Sequence, residues 1–135
     1  MKISIITICY NNEKDIIPTI ESVIHQTYTN IEYIIIDGGS KDSTMKIVEK
    51  YKNHISKIIS EPDKGIYDAI NKGITLATGD IIGLIHAGDF LYNDEVIEKI
   101  NDHFEMNPED EAIYGHAIAI NSKKKIVRVD KSPQF

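Results

Sequence analysis

Three acidic residues of this chain lie just after short apolar runs that are rich in β-branched residues. Asp37 follows residues 33–36, Asp63 follows residues 55–59, and Asp89 follows residues 81–85. Runs of this length and composition are typical of buried strands. A carboxylate at the end of a strand can accept hydrogen bonds from a ligand or hold a divalent cation. These acids are therefore the first candidates for a binding site.

The turn around Asp89 carries the residue types that a cation bound to phosphate needs. Mg²⁺ and Mn²⁺ keep water and phosphate oxygens as ligands, so one protein carboxylate can be enough to hold them. The alternative is that Asp89 only caps the next helix. His86 is either a second ligand or a turn residue bonded to the backbone. A closed zinc site is not expected, because the sequence has no cluster of His and Cys residues.

Apolar β-rich runs alternate with amphipathic runs along the chain, which predicts an α/β fold. Strands are expected at residues 3–9, 33–36, 55–59 and 81–85, and helices at residues 16–24, 45–51, 66–76 and 96–104. Such strand-helix pairs in succession indicate a mostly parallel sheet with helices on both faces. Residues 112–115, 118–120 and 126–129 predict a final strand and a C-terminal β-hairpin around Asn121-Ser122-Lys123.

The turns after the predicted strands are polar, at residues 10–12, 37–40, 61–65 and 86–89. In a parallel sheet these turns meet at one edge, which is where open α/β sheets bind their ligands. A single turn is weak evidence because Gly, Asn and Asp are common turn residues, and Asp37 could simply organise its own turn. All the turns together favour a binding site.

The helix predicted at residues 66–76 presents one apolar face, and polar residues lie near its opening or on its other side. These polar residues are Asp63, Lys64, Tyr67 and Asn71. Lys64 can bind an anionic phosphate, although a lysine at the start of a helix is as often solvated.

The length and composition narrow the class of protein. The 135 residues predict a single domain, and the net charge of −6 with scattered basic residues predicts no nucleic-acid partner. Residues 123–125, all lysines, are expected at the tip of the hairpin. Cys9 is expected to be a buried residue in a reducing compartment. The sequence contains no dinucleotide fingerprint, P-loop, signal peptide or membrane span, which predicts a cytoplasmic protein.

Several motifs occur together in an order that is specific to one enzyme family. They are Ser4-Ile5-Ile6-Thr7, Tyr10-Asn11, residues 22–27 (SVIHQT), 35–44 (IIDGGSKDST), 60–73 (SEPDKGIYDAINKG), 77–80 (ATGD) and 86–89 (HAGD). In this order they resemble the family 2 glycosyltransferases, which use nucleotide sugars in bacterial surface polysaccharide synthesis. The resemblance implies a GT-A fold with a Rossmann-like sheet.

The resemblance also assigns roles to individual residues. It implies that Thr7 and Tyr10 border the nucleoside, that Asp37 reads the uracil or ribose, and that Asp63 and Lys64 lie near the donor. Asn11, Tyr67 and Asn71 complete the predicted nucleotide-sugar-binding set. Asp89 is implied as the ligand of Mn²⁺ or Mg²⁺.

Two glycines depart from the family pattern. Gly38 stands where many members have a second Asp that contacts the base. Gly88 stands where many have the first acid of the metal pair, which leaves Asp89 alone.

The implied reaction is inverting transfer of a sugar, with a UDP-sugar as the expected donor and a glycan or lipid-linked molecule as the acceptor. The metal neutralises the diphosphate leaving group while a carboxylate deprotonates the acceptor hydroxyl. Family members carry that base well beyond the metal motif, so residues 1–135 are expected to be a truncated donor-binding domain. We expect this chain to bind UDP and to transfer sugar poorly. Peripheral association with the inner face of the membrane, through the acceptor, and a homodimer are further expectations.

Two other functions compete with this interpretation. A sugar nucleotidyltransferase shares the parallel sheet and the use of a metal ion at the phosphates, but it is expected to carry a glycine-rich basic loop after the first strand. Residues 7–13 contain no glycine. The second alternative is a nucleotide-binding or protein-interaction module without transferase activity. A receiver-like or protein-interaction module would give no reason for Asp63, Lys64, Tyr67 and Asn71 to gather at one edge.

Overall fold

Strands and helices alternate along the first hundred residues of the chain. The computed structural model describes residues 1–113, 117–120 and 126–130, the last two segments for the backbone alone. In chain order the elements are β1 (Ile3–Cys9), α1 (Ile16–Ile24), β2 (Ile31–Asp37), α2 (Thr44–Lys50), a 3₁₀ turn (Lys52–His54), β3 (Lys57–Ser60), α3 (Ile66–Leu76), β4 (Ile81–Leu84), α4 (Val96–Met106), β5 (Ala117–Ile120) and β6 (Ile126–Asp130).

The first four strands form one parallel sheet in the order β3-β2-β1-β4. The register pairs Cys9 with Asp37 and Asp37 with Ser60, so the carboxyl ends of β1, β2 and β3 lie side by side. Strand order reverses between β3 and β4, which makes the end of β1 and β4 the topological switch point of the sheet. This arrangement confirms the predicted α/β fold.

Helices cover the sheet on two faces because apolar side chains in the central strands point both ways. One face is buried under α3, where Ile6, Ile34, Ile36 and Ala69 pack together. The other face is covered by apolar residues of α1, α2 and α4. That larger cluster includes Ile5, Ile35, Ile20, Val48 and Ile97.

Strand β4 is less covered than the sequence predicts. Its apolar run was expected to be buried on both faces, but Ile82 and Leu84 are 42% and 41% exposed. The reason is that α3 packs against β1 and β2, so the α3 side of the edge strand β4 has no helix above it in the described part of the chain.

Contacts divide the chain into two compact units, Met1–His103 and Phe104–Phe135. In the second unit β5 and β6 pair in antiparallel fashion, with Ala117 opposite Asp130. The predicted hairpin turn around Asn121-Ser122-Lys123 and the lysines at 123–125 lie outside the described residues. Of the predicted strand at 112–115, the first two residues belong to no regular element, and the others are not described. The single-domain assignment for residues 1–135 stays a prediction.

Across the described residues, every helix is too short or too polar to cross a bilayer.

A buried carboxylate, that of Glu32 in β2, connects β2 to β1, to β3 and to the segment before β4 at the amino-terminal end of the sheet. It is 6% exposed and accepts hydrogen bonds from Ser4 Oγ at 2.7 Å, Thr78 N at 2.8 Å and Thr78 Oγ1 at 2.9 Å. Lys57 Nζ and Lys2 Nζ lie 3.2 and 3.5 Å from its Oε2. Burial alone raises the pKa of Glu32, but the hydrogen bonds from Thr78, Ser4 and Lys57 outweigh burial and lower it to about 2.

Replacement of this carboxylate tests its role. We expect Glu32→Gln to lower the free energy of unfolding by about 1–3 kcal/mol near neutral pH, because charge-assisted hydrogen bonds are lost. The folded pKa lies below the unfolded value of about 4.3, so the contribution is present above that value and is lost as the pH falls toward 2. Urea unfolding at pH 7 and pH 3 measures both effects.

The exposed acid Glu49 supplies the control, and Glu49→Gln should leave the unfolding free energy nearly unchanged. A deficit in Glu32→Gln that is equal at pH 7 and pH 3 would contradict the assigned role of the carboxylate.

Candidate functional site

A cleft of about 730 Å³ lies at the carboxyl-terminal edge of the parallel sheet. Residues from the turns after all four strands line it, as the sequence predicts for a parallel sheet. The lining residues are Ile8, Cys9, Tyr10, Asn12, Gly38, Gly39, Lys41, Pro62, Asp63, Gly65, Ile66, His86 and Ala87. The mixture of apolar walls with a few polar groups is typical of small-molecule sites.

Asp37, at the end of β2, is fully buried beneath this edge, with 0% exposure. Its Oδ2 accepts hydrogen bonds from Gly39 N at 3.1 Å, Ser40 N at 2.9 Å and Ser60 Oγ at 2.8 Å. Its Oδ1 accepts from Ser40 Oγ and from Cys9 Sγ, the latter at 3.4 Å. Both carboxylate oxygens are therefore occupied by protein donors, and they fix the turn after β2.

The electrostatics of the Asp37 and Cys9 pair follow from this geometry. Burial raises the pKa of Asp37, but hydrogen bonds from Ser40, Ser60 and Cys9 outweigh it and hold the pKa below its usual range. Burial, followed by the nearby Asp37 charge, raises the pKa of the Cys9 thiol. The thiol therefore stays protonated and donates a hydrogen bond to Asp37 Oδ1. Cys9 is buried as predicted, and it has the added role of a hydrogen-bond donor.

The turn after β1 is fastened to the turn after β2 by hydrogen bonds that run in both directions. Asn11 N donates to Ser40 Oγ at 2.8 Å, and Lys41 N donates to Asn11 Oδ1 at 2.8 Å. Glu13 N donates to Asp42 Oδ2 at 3.2 Å. Asn11 adopts a φ of 53°, a left-handed conformation that Asn tolerates better than most residues. These hydrogen bonds hold Lys41 at the wall of the cleft.

The turn after β2 also packs closely on the turn after β3. A Cβ on Gly38 would lie 2.8 Å from Asp63 Oδ2, and a Cβ on Gly39 would lie 3.2 Å from Pro62 N. Gly39 has a φ of +88°, which favours glycine. Asp63 is half-buried, and its Oδ1 accepts a hydrogen bond from Gly65 N at 3.0 Å. The absence of side chains at 38 and 39 therefore permits this contact.

The turn after β4 is held by the first helix. Thr19, in α1, accepts a hydrogen bond from Gly88 N at 3.0 Å and donates one to Asp89 O at 2.6 Å. Gly88 has a φ of +98°. The Asp89 side chain is exposed, and its carboxylate makes no hydrogen bond to any described residue. Thr19 thus fixes the backbone of Asp89 and leaves its carboxylate available.

These residues fit a divalent cation of the hard, water-retaining kind. No group of three or more His, Cys, Asp or Glu side chains suited to a metal occurs among the described residues. Near Asp89, His86 Nδ1 is a buried atom with no hydrogen-bond partner. One open carboxylate suits Mg²⁺ or Mn²⁺, which take most of their ligands from water and phosphate.

The predicted site residues fall into three groups. Tyr10 and Asp63 line the cleft, and Asn11 fastens one of its walls. Thr7 is buried in β1, outside the lining of the cleft, and its Oγ1 shares a 2.8 Å hydrogen bond with Tyr33 Oη. The third group is exposed and does not line the cleft. It consists of Asp89, at the turn after β4, Lys64, just before α3, and Tyr67 and Asn71 on α3.

Lys41, Asn12 and Ile66 also line the cleft, although the sequence analysis does not name them as site residues. They lie in the turn at residues 10–12 and in the motifs at residues 35–44 and 60–73. The position of Lys41 after the second strand was the available signal, because residues at strand exits converge in a parallel sheet.

Relatives of known family show the same pattern of sequence. The chain matches the Glycosyl transferase family 2 domain over residues 4–134. It is 38% identical over 98 residues to an uncharacterized glycosyltransferase of Mycobacterium tuberculosis, covering 72% of this chain and 37% of that protein. It is 41% identical over 96 residues to the chondroitin synthase of Escherichia coli, covering 70% of this chain and 14% of that protein. The chain thus spans well under half the length of these relatives.

Solved structures share the fold. TarS of Staphylococcus aureus matches with a TM-score of 0.74 and 26% identity over 80% of this chain and 20% of TarS. TarS 1-349 in complex with UDP-GlcNAc matches with a TM-score of 0.73 and 27% identity, over 78% of this chain and 32% of that one. The mannosyltransferase PcManGT of Pyrobaculum calidifontis, in complex with GDP-Man and Mn²⁺, matches with a TM-score of 0.72. Its 18% identity, over 90% of this chain and 36% of that one, supports the fold alone.

The family match covers nearly the whole chain, the relatives are named as glycosyltransferases, and the parallel sheet matches that of TarS. The predicted resemblance is confirmed: this chain belongs to glycosyl transferase family 2 and has the GT-A fold.

Proposed function

We propose that this chain binds the nucleotide-sugar donor, a UDP-sugar, for an inverting, metal-dependent transfer to a glycan or lipid-linked acceptor in cell-surface polysaccharide synthesis. The observation that carries the proposal is the cleft at the topological switch point, which receives residues from the turns after all four strands. Structures of TarS with UDP and UDP-GlcNAc support a uridine nucleotide. A cytoplasmic location, association with the membrane periphery and a homodimer belong to the same proposal.

The strand order gives the ligand a direction. The turn after β3 and the turn after β4 are three strand spacings apart, roughly 14 Å. A nucleoside diphosphate in an extended conformation has a similar length. We place its diphosphate near the turn after β4, where the Asp89 carboxylate is open, and its nucleoside near Gly38 and Gly39. Gly39, which has no side chain, lets a planar ring approach the backbone there.

At the diphosphate end, Asp89 is the residue that would hold Mn²⁺ or Mg²⁺. When bound, such a cation would neutralise the charge that develops on the leaving diphosphate. Thr19 keeps the Asp89 peptide in place through its two hydrogen bonds, which makes it a positioning residue. Lys41 adds a positive charge to the cleft wall.

Inversion requires a base that takes the proton of the acceptor hydroxyl on the face opposite the leaving group. Among the described residues that line the cleft, Asp63 is the carboxylate, and we place it at the nucleoside end, away from that reaction. We therefore propose that residues 1–135 are the donor-binding part and that the base and the acceptor site belong to another part of the enzyme.

Binding of UDP can be tested by thermal unfolding of the chain with UDP, GDP, CDP and ADP, each with and without Mn²⁺. A ligand at 100 times its Kd adds about 2.7 kcal/mol to the free energy of unfolding, so UDP with Mn²⁺ should raise the Tm by several degrees. Asp89→Asn should lose the part of the shift that depends on Mn²⁺. Asp94→Asn removes an exposed acid nearby and should keep the full shift.

No shift with any nucleotide would contradict donor binding. A Mn²⁺-dependent shift of equal size in Asp89→Asn would contradict the role of Asp89.

The buried carboxylate beneath the cleft generates a second prediction. Asp37→Asn places an NH₂ group among N–H and O–H donors, so we expect a loss of about 2–4 kcal/mol in the free energy of unfolding, together with weaker UDP binding. Ser60→Ala removes one of the donors and should cost about 1 kcal/mol. Urea unfolding and calorimetric titration measure the two quantities. Wild-type values for Asp37→Asn in both would show that Asp37 does not hold the site.

A further inference from the structure

Asp63 and Gly38 form a contact that the reaction outlined above does not use. The Asp63 Oδ2 atom lies where a side chain on Gly38 would begin, 2.8 Å from the position of a Cβ. Gly38 does not have a positive φ, so its backbone does not require glycine. A side chain at this position would displace the Asp63 carboxylate. The missing side chain at 38 therefore makes room for the carboxylate of another loop.

The two oxygens of Asp63 have different surroundings. Oδ1 accepts the hydrogen bond from Gly65 N and so fixes the start of α3, whereas Oδ2 has no hydrogen-bond partner among the described residues. Asp63 lines the cleft, whereas Asp37 is fully buried and receives five protein donors. The acceptor that a ligand can reach is therefore Asp63, although the family resemblance points to Asp37.

The charge of Asp63 determines which part of a ligand it can face. A carboxylate repels a diphosphate, and it accepts hydrogen bonds from neutral N–H and O–H groups. The turn that holds it is three strands away from the turn that holds Asp89. The neutral, donor-bearing end of a nucleoside diphosphate is its base and ribose.

We propose that Asp63 is a specificity-determining residue that accepts, at Oδ2, a hydrogen bond from an N–H or O–H donor of the nucleoside. In this role Gly38 must lack a side chain so that the carboxylate stays in place. The inference rests on the proposed binding of a uridine nucleotide, and it names the residue that reads the nucleoside.

The test measures the affinities of uridine, UDP and Mn²⁺-pyrophosphate by NMR titration or calorimetry. Asp63→Asn keeps an oxygen for Gly65 N and replaces the open oxygen with an amide nitrogen. We expect about tenfold or greater weakening, by the same factor for uridine and UDP, and no change for pyrophosphate. Asp89→Asn should weaken pyrophosphate and leave uridine unchanged. Glu61→Gln removes a neighbouring exposed charge and should change none of the affinities.

The contact with Gly38 gives an independent arm. Gly38→Ala should displace the carboxylate and weaken uridine about as much as Asp63→Ala, while the double variant should be no weaker than Asp63→Ala alone. Thermal unfolding of each variant confirms that it is folded. Additive losses in the double variant would overturn the proposed contact.

Three uridine analogues identify the donor: one is methylated at N3, one lacks the 2′-hydroxyl and one lacks the 3′-hydroxyl. The analogue that has lost the donor should bind wild type and Asp63→Asn equally well. If none of the three does so, or if Asp63→Asn leaves uridine binding unchanged or weakens pyrophosphate equally, the proposal is overturned. Absence of uridine and UDP binding to the wild-type chain would instead mean that the proposed function itself fails.

Discussion

The carboxyl-terminal edge of this sheet depends on one buried carboxylate, that of Asp37. Its donors come from the end of β1, the turn after β2 and the end of β3, so a single group sets the relative positions of these segments. A buried charge is tolerated only when hydrogen bonds replace its lost hydration, and here five donors do so. The walls of the cleft are consequently fixed by hydrogen bonds to a fully buried carboxylate beneath it.

Strand β2 carries a second buried carboxylate, Glu32, at its other end. Ser4, Thr78 and Lys57 bind it, whereas the residues between the two acids pack into apolar clusters on both faces of the sheet. The strand thus combines an apolar middle, which contributes most of the burial, with polar ends that specify its neighbours. Hydrogen bonds at both ends resist a slip in register, because any slip would leave a buried charge without partners.

Much of the fold follows from local pattern in the sequence. The bounds of β1, α1 and α3 agree with their predicted residues, since amphipathic period and apolar alternation are read from neighbouring positions. Strand β4 was predicted to be covered on both faces, which is wrong for Ile82 and Leu84. Burial of these side chains depends on where α3 packs on the sheet, and the local sequence pattern does not predict that position.

The site shows the same division. The convergence of the strand turns was predictable from parallel topology, and Tyr10 and Asp63 do line the cleft. Asp63, in the turn after β3, packs against Gly38, in the turn after β2. The hydrogen bond between Asn11 and Lys41 joins the turns after β1 and β2. Such contacts arise from the packing of segments distant in sequence, so residue type and spacing alone do not reveal them.

We propose that the nucleotide binds in the cleft at the switch point. Its most direct test is a ¹H–¹⁵N correlation spectrum of the chain during titration with UDP and Mg²⁺, which is diamagnetic. Binding in the cleft is expected to cause saturable shifts of the amide signals of Gly38, Gly39, Gly65 and His86, with little change at Glu32 and its partners at the opposite end of the sheet. Saturable shifts confined to other surfaces, or none at millimolar UDP, would contradict it.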